Sequence, residues 1–389
     1  MEGDKKMAKV RRNDQRGKSA YVTLAIILVL LLLVTVGCYL LKQWADADYN
    51  ERQAQAETEA ERINDQLRED YAKAKAEERA KSQEKKAETP QRPAPKGEGW
   101  EVLDLSYFPI SNTRTLSVTR KDLVKGGMLL LNHWHSQPAD FPEADLISVH
   151  TSKNGIPVKN SSVKLFPAAV TALEEMLKAA NDAGLDGYLI DEGYRTNETQ
   201  QGYYDKEAAH YAEKLSGDAL RDKVSQTVNY PGTSEYQSGL SFRVDRYKKD
   251  DKEFMDKKFK DMEQSDWLLE HSWEYGIIFR FPVQGYPNAT VTDKGWKTGE
   301  HKQLSIYRYV GKANAAVMHI MDFCMEEYIE YLARHPHIAV YQDGVLKYEI
   351  TWTEDTNPTG DVTATTAANA RETIVSTDNC GGIIVAIAY

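Results

Sequence analysis

Cysteine is nearly missing from this chain. Only Cys38, Cys324 and Cys380 occur in 389 residues, too few for an exported fold held together by disulfides. Cys324 and Cys380 could form one bridge or stay as two buried thiols. An excess of positive charge is missing too. The formal net charge is -10, and no basic patch with interleaved aromatics offsets it. That argues against nucleic acid, whose binding rests on Lys and Arg neutralising phosphates. Large apolar residues are scarce from Asp46 to about Glu88, where Ala, Glu, Lys, Arg and Gln dominate. Such a stretch favours helix by propensity but cannot bury a core, so it reads as a stalk. Ile63, Leu67, Tyr71 and Ala74 follow a helical stripe without sustained heptads, which leaves a dimeric coiled coil open.

Against this background stands one long apolar run. Ala20 to Leu41, "AYVTLAIILVLLLLVTVGCYLL", carries no charge, and a helix needs about 20 apolar residues to cross the hydrocarbon core. Lys and Arg dominate before it, while the residues after it are nearly neutral to acidic, so the amino end is expected in the cytoplasm and the remainder outside. A signal peptide would carry a shorter apolar region of about 7 to 15 residues. The expected division is a cytoplasmic basic segment (1–19), a transmembrane helix (20–41), a helical stalk closing in the Pro-rich "TPQRPAPKGEG" (42–99), a folded domain (100–336) and a β-rich extension (337–389).

The folded part mixes helical and extended patterns. In "FPAAVTALEEMLKAANDAG", Phe166, Ala169, Val170, Leu173, Met176, Leu177 and Ala180 recur at i, i+3, i+4 spacing between Pro167 and Gly184, a helix with one buried face. "GYLIDEGYR" reads as a strand entering a loop, "SDWLLEHSWEYG" as a helix stopped by glycine, and "SIYRYVG" as a strand before one long helix, "ANAAVMHIMDFCMEEYIEYLARH". Near the end, "IAVYQDGVLKYEITWT" predicts a hairpin turning at Asp343-Gly344, and "GGIIVAIAY" a closing strand. Strands and helices that do not strictly alternate predict an α+β domain.

Five pieces fall in one order: "LLNHWHSQPADFPEADLISV", "DEGYRTNETQ", "YPGTSEYQSGLSFRVD", "DWLLEHSWEYGIIFRFP" and "IYRYVG". Together, over about Leu123 to Arg334, they resemble the VanY-type D-alanyl-D-alanine carboxypeptidases. The resemblance implies a zinc D,D-carboxypeptidase-like core of helices on a small antiparallel sheet, in a bacterial membrane-anchored protein of the cell wall. It also implies a peptidoglycan stem peptide or a wall-machinery protein as partner. The family's chemistry needs zinc held by three side chains, with a carboxylate to take the proton of the bound water.

Carried over residue by residue, the family's His and Asp ligands in Ser-x-His-x-x-Gly-x-Ala-x-Asp fall on Tyr236 and Arg243, with Ser234 and Gly239 keeping the frame. Its Glu-Pro-Trp-His stretch places the general base at Gln303 and the third ligand at Ile306. A neutral tyrosine is a poor ligand, isoleucine has no donor atom, glutamine cannot take the proton, and a guanidinium repels Zn²⁺. The resemblance further gives Arg195 a place in the substrate site, where a guanidinium suits a peptide carboxylate. Tyr236, Arg243, Arg195 and Ser234 are therefore the expected substrate-binding residues. The expectation is a zinc-free pseudopeptidase. Two alternatives stand beside it: an active carboxypeptidase with a zinc site rebuilt from Asp245 and His301, and a purely structural interaction domain. His133 and His135 in "HWH" suit a structural role better than a metal.

Overall fold

The computed structural model describes residues 91–151 and 156–389, with isolated positions before them (35–37, 40, 42, 43 and 73). Most of the expected transmembrane helix and of the stalk lies outside the described residues. Among the described residues no helix is long and apolar enough to cross a membrane. Residues Gln91–Tyr389 form one compact unit.

The unit opens with β1 (Trp100–Asp104), β2 (Thr113–Val118) and the two-residue strands β3 (Ile147–Ser148) and β4 (Lys164–Leu165). The Pro167–Asp182 helix follows, entered from an extended Phe166 with Pro at its first turn. Proline fits there because its missing N–H would be unpaired anyway. Its apolar stripe is buried as the spacing predicts: Ala169, Leu173, Met176 and Ala180 are fully covered.

That stripe packs on a four-stranded antiparallel sheet in the order β5-β6-β8-β7, made of β5 (Tyr188–Glu192), β6 (Ser241–Arg246), β7 (Ile277–Phe279) and β8 (Ile306–Tyr309). The period of two along β6 sends Phe242 and Val244 into the core and Arg243 and Asp245 to the other face. Phe242 lies opposite Tyr307 and Arg243 opposite Ile306 across the β6–β8 ladder.

After β8 the single long helix expected from periodicity is two, Lys312–Met321 and Met325–Arg334. Asp322 takes a left-handed backbone at φ 51°, and Glu327 reaches back to accept the Cys324 N–H, so a new helix starts three residues on.

The chain closes with β9 (His337–Gln342), β10 (Val345–Glu354), β11 (Val362–Ala367), β12 (Glu372–Thr377) and β13 (Gly382–Ala388). The β9–β10 hairpin turns at Asp343-Gly344, both with positive φ as a type I′ turn requires. Here the expected boundary at 336/337 needs correction. The second sheet has the order β1-β9-β10-β13-β12, so Trp100–Asp104 pairs with a strand that begins at His337. Ile338, Val340, Ile350, Ile384 and Ala386 share one core cluster with Val317, Met325, Tyr328 and Leu332 of the two helices. Residues 337–389 are built into the domain rather than appended to it. The Pro-rich end of the expected stalk also belongs to the unit, since the Gly99 N–H donates to Asp343 Oδ1 at 2.9 Å.

Candidate functional site

A cavity of about 480 Å³ opens beside the four-stranded sheet, lined among others by Arg195, Tyr203, Ser234, Glu235, Tyr236, Arg243, Phe281, Leu304 and Ile306. Three of these occupy the expected ligand positions, and the fold brings all three together. Arg243 and Ile306 face each other in register on β6 and β8. Ile306, 2% exposed, packs with Tyr236 and Phe281 in a small apolar cluster, with Leu304 against it.

The donor chemistry there does not fit zinc. Burial pushes the Tyr236 hydroxyl well above the usual tyrosine range, with Glu192 adding to the shift, so it stays a neutral phenol. Arg243 directs Nε to Asp191 Oδ1 at 2.6 Å and its Nη2 to the other oxygen of the same carboxylate. That bidentate pair holds the guanidinium more firmly charged than usual. Ile306 supplies nothing.

The residues proposed to rebuild a metal site do not join this group. The Asp245 carboxylate binds its neighbour, accepting from the Arg246 N–H and Nη1 at 2.8 Å each. His301 and Gln303 are exposed and do not line the cavity. Among the described residues no cluster of three or more His, Cys, Asp or Glu is placed to hold a metal ion.

Arg195 occupies the cavity wall as expected. Its guanidinium carbon lies 4.1 Å from the centre of the Tyr236 ring and 4.7 Å from that of Tyr203, positions that favour cation–π attraction. Nε donates to Glu192 Oε1 at 2.5 Å and Nη1 to Gln200 Oε1 at 3.1 Å. Both arginines are thus paired with carboxylates, Arg195 with Glu192 and Arg243 with Asp191. Ser234 lines the cavity where its backbone enters the turn Glu235–Ser238, and Gln237 reaches back to the Ser234 N–H.

Beneath the cavity lies a charged group that sequence reasoning missed. Glu235 accepts from Arg280 Nε at 2.9 Å, from Ser241 Oγ at 2.6 Å and from Arg308 Nη1. Arg280 also donates to both oxygens of Glu326, at 2.7 and 3.0 Å. Arg308 donates to the carbonyls of Gly127, Leu129 and Tyr309. Both arginines are fully buried. Burial works to raise the Glu235 carboxyl, but Arg308, Arg280 and the Ser241 hydroxyl outweigh it and hold it below the usual carboxylate range. The signal was in "FRFP" and "YRYVG", where an arginine sits amid large side chains in or directly after a strand too apolar to face water.

The mixed α/β fold with a cavity beside the sheet is similar to that of the zinc D,D-peptidases. A family model described as D-alanyl-D-alanine carboxypeptidase (VanY) matches residues 162–301. A D-alanyl-D-alanine carboxypeptidase of Enterococcus faecium is 27% identical over 279 residues, 71% of this chain and 80% of that protein. A bifunctional D-Ala-D-Ala dipeptidase and D-Ala-D-Ala carboxypeptidase, VanXYC of Enterococcus gallinarum, is 31% identical over 180 residues, 46% of this chain and 84% of that protein. Among solved structures, the vancomycin-resistance D,D-dipeptidase VanXYg, bound to a D-Ala-D-Ala phosphinate analog, superposes with a TM-score of 0.55 at 19% identity. It covers 71% of this chain and 99% of its own, a likeness of fold. The chain belongs to the VanY-type D-alanyl-D-alanine carboxypeptidase family. Tyr236 and Arg243 fall inside the matched region, and Gln303 and Ile306 fall just beyond it. Ile306 pairs with Arg243 across β6 and β8.

Proposed function

We propose that this chain binds the carboxyl end of D-Ala-D-Ala-terminated stem peptides in the cavity, without zinc and without hydrolysing them. One observation carries the reading. The three positions that the family resemblance assigns to zinc converge, yet they present a phenol, an apolar side chain and an ion-paired guanidinium. No carboxylate stands where the general base would be, and the corresponding Gln303 is exposed outside the cavity. Fold alone does not fix function, and the three assigned ligand positions supply no donor set for metal-assisted hydrolysis.

What remains suits recognition. Arg195 is held by Glu192, Gln200 and two tyrosine rings, and its Nη2 makes no hydrogen bond to a described residue, which leaves an edge for a peptide carboxylate. The reading also takes 20–41 as a membrane anchor, with 1–19 in the cytoplasm and 42–99 as a spacer, so that the cavity meets the cell wall. Titration calorimetry in the presence of a chelator tests it. A peptide ending in D-Ala-D-Ala should bind and its L-Ala-L-Ala counterpart should not. Arg195→Ala should weaken binding by about tenfold or more, about 1.4 kcal/mol. Absence of binding by the native chain would overturn the reading.

A further inference from the structure

The turn between β12 and β13 carries Cys380, an exposed residue with no disulfide partner. Its Sγ lies 3.4 Å from His135 Nε2, and His135 Nδ1 lies 2.8 Å from Asn132 Oδ1. The same Asn132 oxygen accepts the backbone N–H groups of Trp134 and His135 at 3.0 and 3.1 Å, while Asn132 Nδ2 donates to Glu326 at 3.3 Å. Those contacts fix which end of the amide faces the ring. An amide oxygen only accepts, so Nδ1 carries the proton and Nε2 turns its lone pair to the thiol. A thiol on one ring nitrogen and an orienting acceptor on the other is the arrangement that activates a nucleophile.

The surrounding turn is stiff. Asp378 accepts the N–H groups of Cys380 and Gly382 at 2.7 and 2.8 Å and the Trp352 indole N–H at 2.9 Å. Asn379, with φ 62°, ties the turn to the His135 loop by donating to the carbonyls of Leu130 and Ser136. The Gly381 N–H is paired with no described group, and there is open space where its Cβ would stand. A free N–H directly after a nucleophile can serve a developing oxyanion.

The charged groups facing the pair are acidic: Asp378 from the turn, and Glu326 and Glu330 from the Met325–Arg334 helix. Although the residue reaches the surface, the protein packed around the turn pushes the Cys380 thiol up to about 12, with those carboxylates adding to the effect. Burial lowers His135, partly offset by Glu326 and Asp378. At neutral pH the pair is a thiol and a neutral imidazole, so the proton must leave as the sulfur attacks.

We propose that Cys380, His135 and Asn132 form a second site, adjoining the cavity through Asn132 but independent of the function proposed for it, at which the thiol takes an acyl group from an ester or thioester. The S–C bond forms as the S–H proton passes to His135 Nε2, and the carbonyl oxygen takes up the charge beside the Gly381 N–H. On collapse the C–O or C–S bond of the donor breaks. His135 then returns its proton to the leaving alcohol or thiol, leaving S-acyl-Cys380, with nothing oxidised or reduced.

The test uses the full chain with p-nitrophenyl acetate, following nitrophenolate release and mapping the acetyl group by peptide mass spectrometry. Cys380 should be the acylated residue, with a rate that levels off above a pH near or below 6.5, the ordinary histidine value. His135→Gln, which keeps a hydrogen-bond acceptor but no base, should lower the rate at pH 7 by about a hundredfold and remove the plateau. Acylation elsewhere, or a rate at Cys380 that climbs about tenfold per pH unit through pH 8 in both proteins, would overturn the proposal and leave a structural hydrogen bond. If His135→Gln unfolds, the pH profile of the native chain alone decides between the two.

Discussion

Glu235→Gln tests the physics under the cavity. Glu235 and Glu326 balance Arg280 and Arg308, and the side chains are 4%, 7%, 0% and 0% exposed. Removing one charge from such a group leaves a buried cation without its counterion, a change that costs about 3 to 5 kcal/mol in comparable cases. The lower end applies here. Arg280 keeps Glu326, and Arg308 keeps the carbonyls of Gly127, Leu129 and Tyr309. A loss of about 3 kcal/mol should lower the melting temperature by roughly 6 to 12 °C, at about 2 to 4 °C per kcal/mol. Thermal unfolding followed by near-ultraviolet circular dichroism at pH 7 reads it.

The pH dependence follows from the sign of the shift. The folded Glu235 carboxyl titrates below its ordinary value of 4.5, so its contribution is complete above that value and is lost as pH falls through the folded pKa. The gap between native and Glu235→Gln proteins should therefore hold constant from pH 7 to about pH 5.5 and close in acid. Glu235→Leu combined with Arg308→Met, which removes the pair together, should cost less than Glu235→Gln alone. A loss under about 1 kcal/mol, or a gap that persists in acid, would refute the reasoning.

Three further outcomes follow. Tyr236→His, Arg243→Asp and Ile306→His together should give a chain that retains about one zinc ion after dialysis; failure in a folded variant would mean that these positions do not converge as the β6–β8 register places them. Gly382→Ala would drive a Cβ into the Trp352 indole and the Asp378 carboxylate, so it should cost about 2 kcal/mol or more by overpacking and slow acylation of Cys380; a native melting curve would contradict this. Truncation after Pro336 strips the strands that cover Val317, Met325 and Leu332, and should abolish cooperative unfolding rather than yield a trimmed domain.

The local patterns were legible where one segment decides the outcome. The Pro167–Asp182 helix, the Asp343-Gly344 turn and the β13 strand follow from spacing and backbone preference alone. The convergence of Tyr236, Arg243 and Ile306 was legible through the family frame. Partner choice was not. Asp191 reaches Arg243 from the adjacent strand β5, and nothing in "SFRVD" names that neighbour. Cys380 and His135 are 245 residues apart, so no window of sequence contains both. The long helix broke at Asp322 because Glu327 caps Cys324 and Lys294 Nζ binds the Asp322 carbonyl, the second a contact from a distant loop. β1 escaped notice for the same reason, a half-buried strand whose partner lies at the far end of the chain.

The zinc content of the purified chain tests the central claim most directly, measured by elemental analysis after incubation with zinc and exhaustive dialysis, alongside release of D-Ala from a D-Ala-D-Ala peptide. The account predicts no retained zinc and no D-Ala release. About one tightly held zinc per chain together with D-Ala release would contradict it, and would mean that residues other than Tyr236, Arg243 and Ile306 supply the ligands.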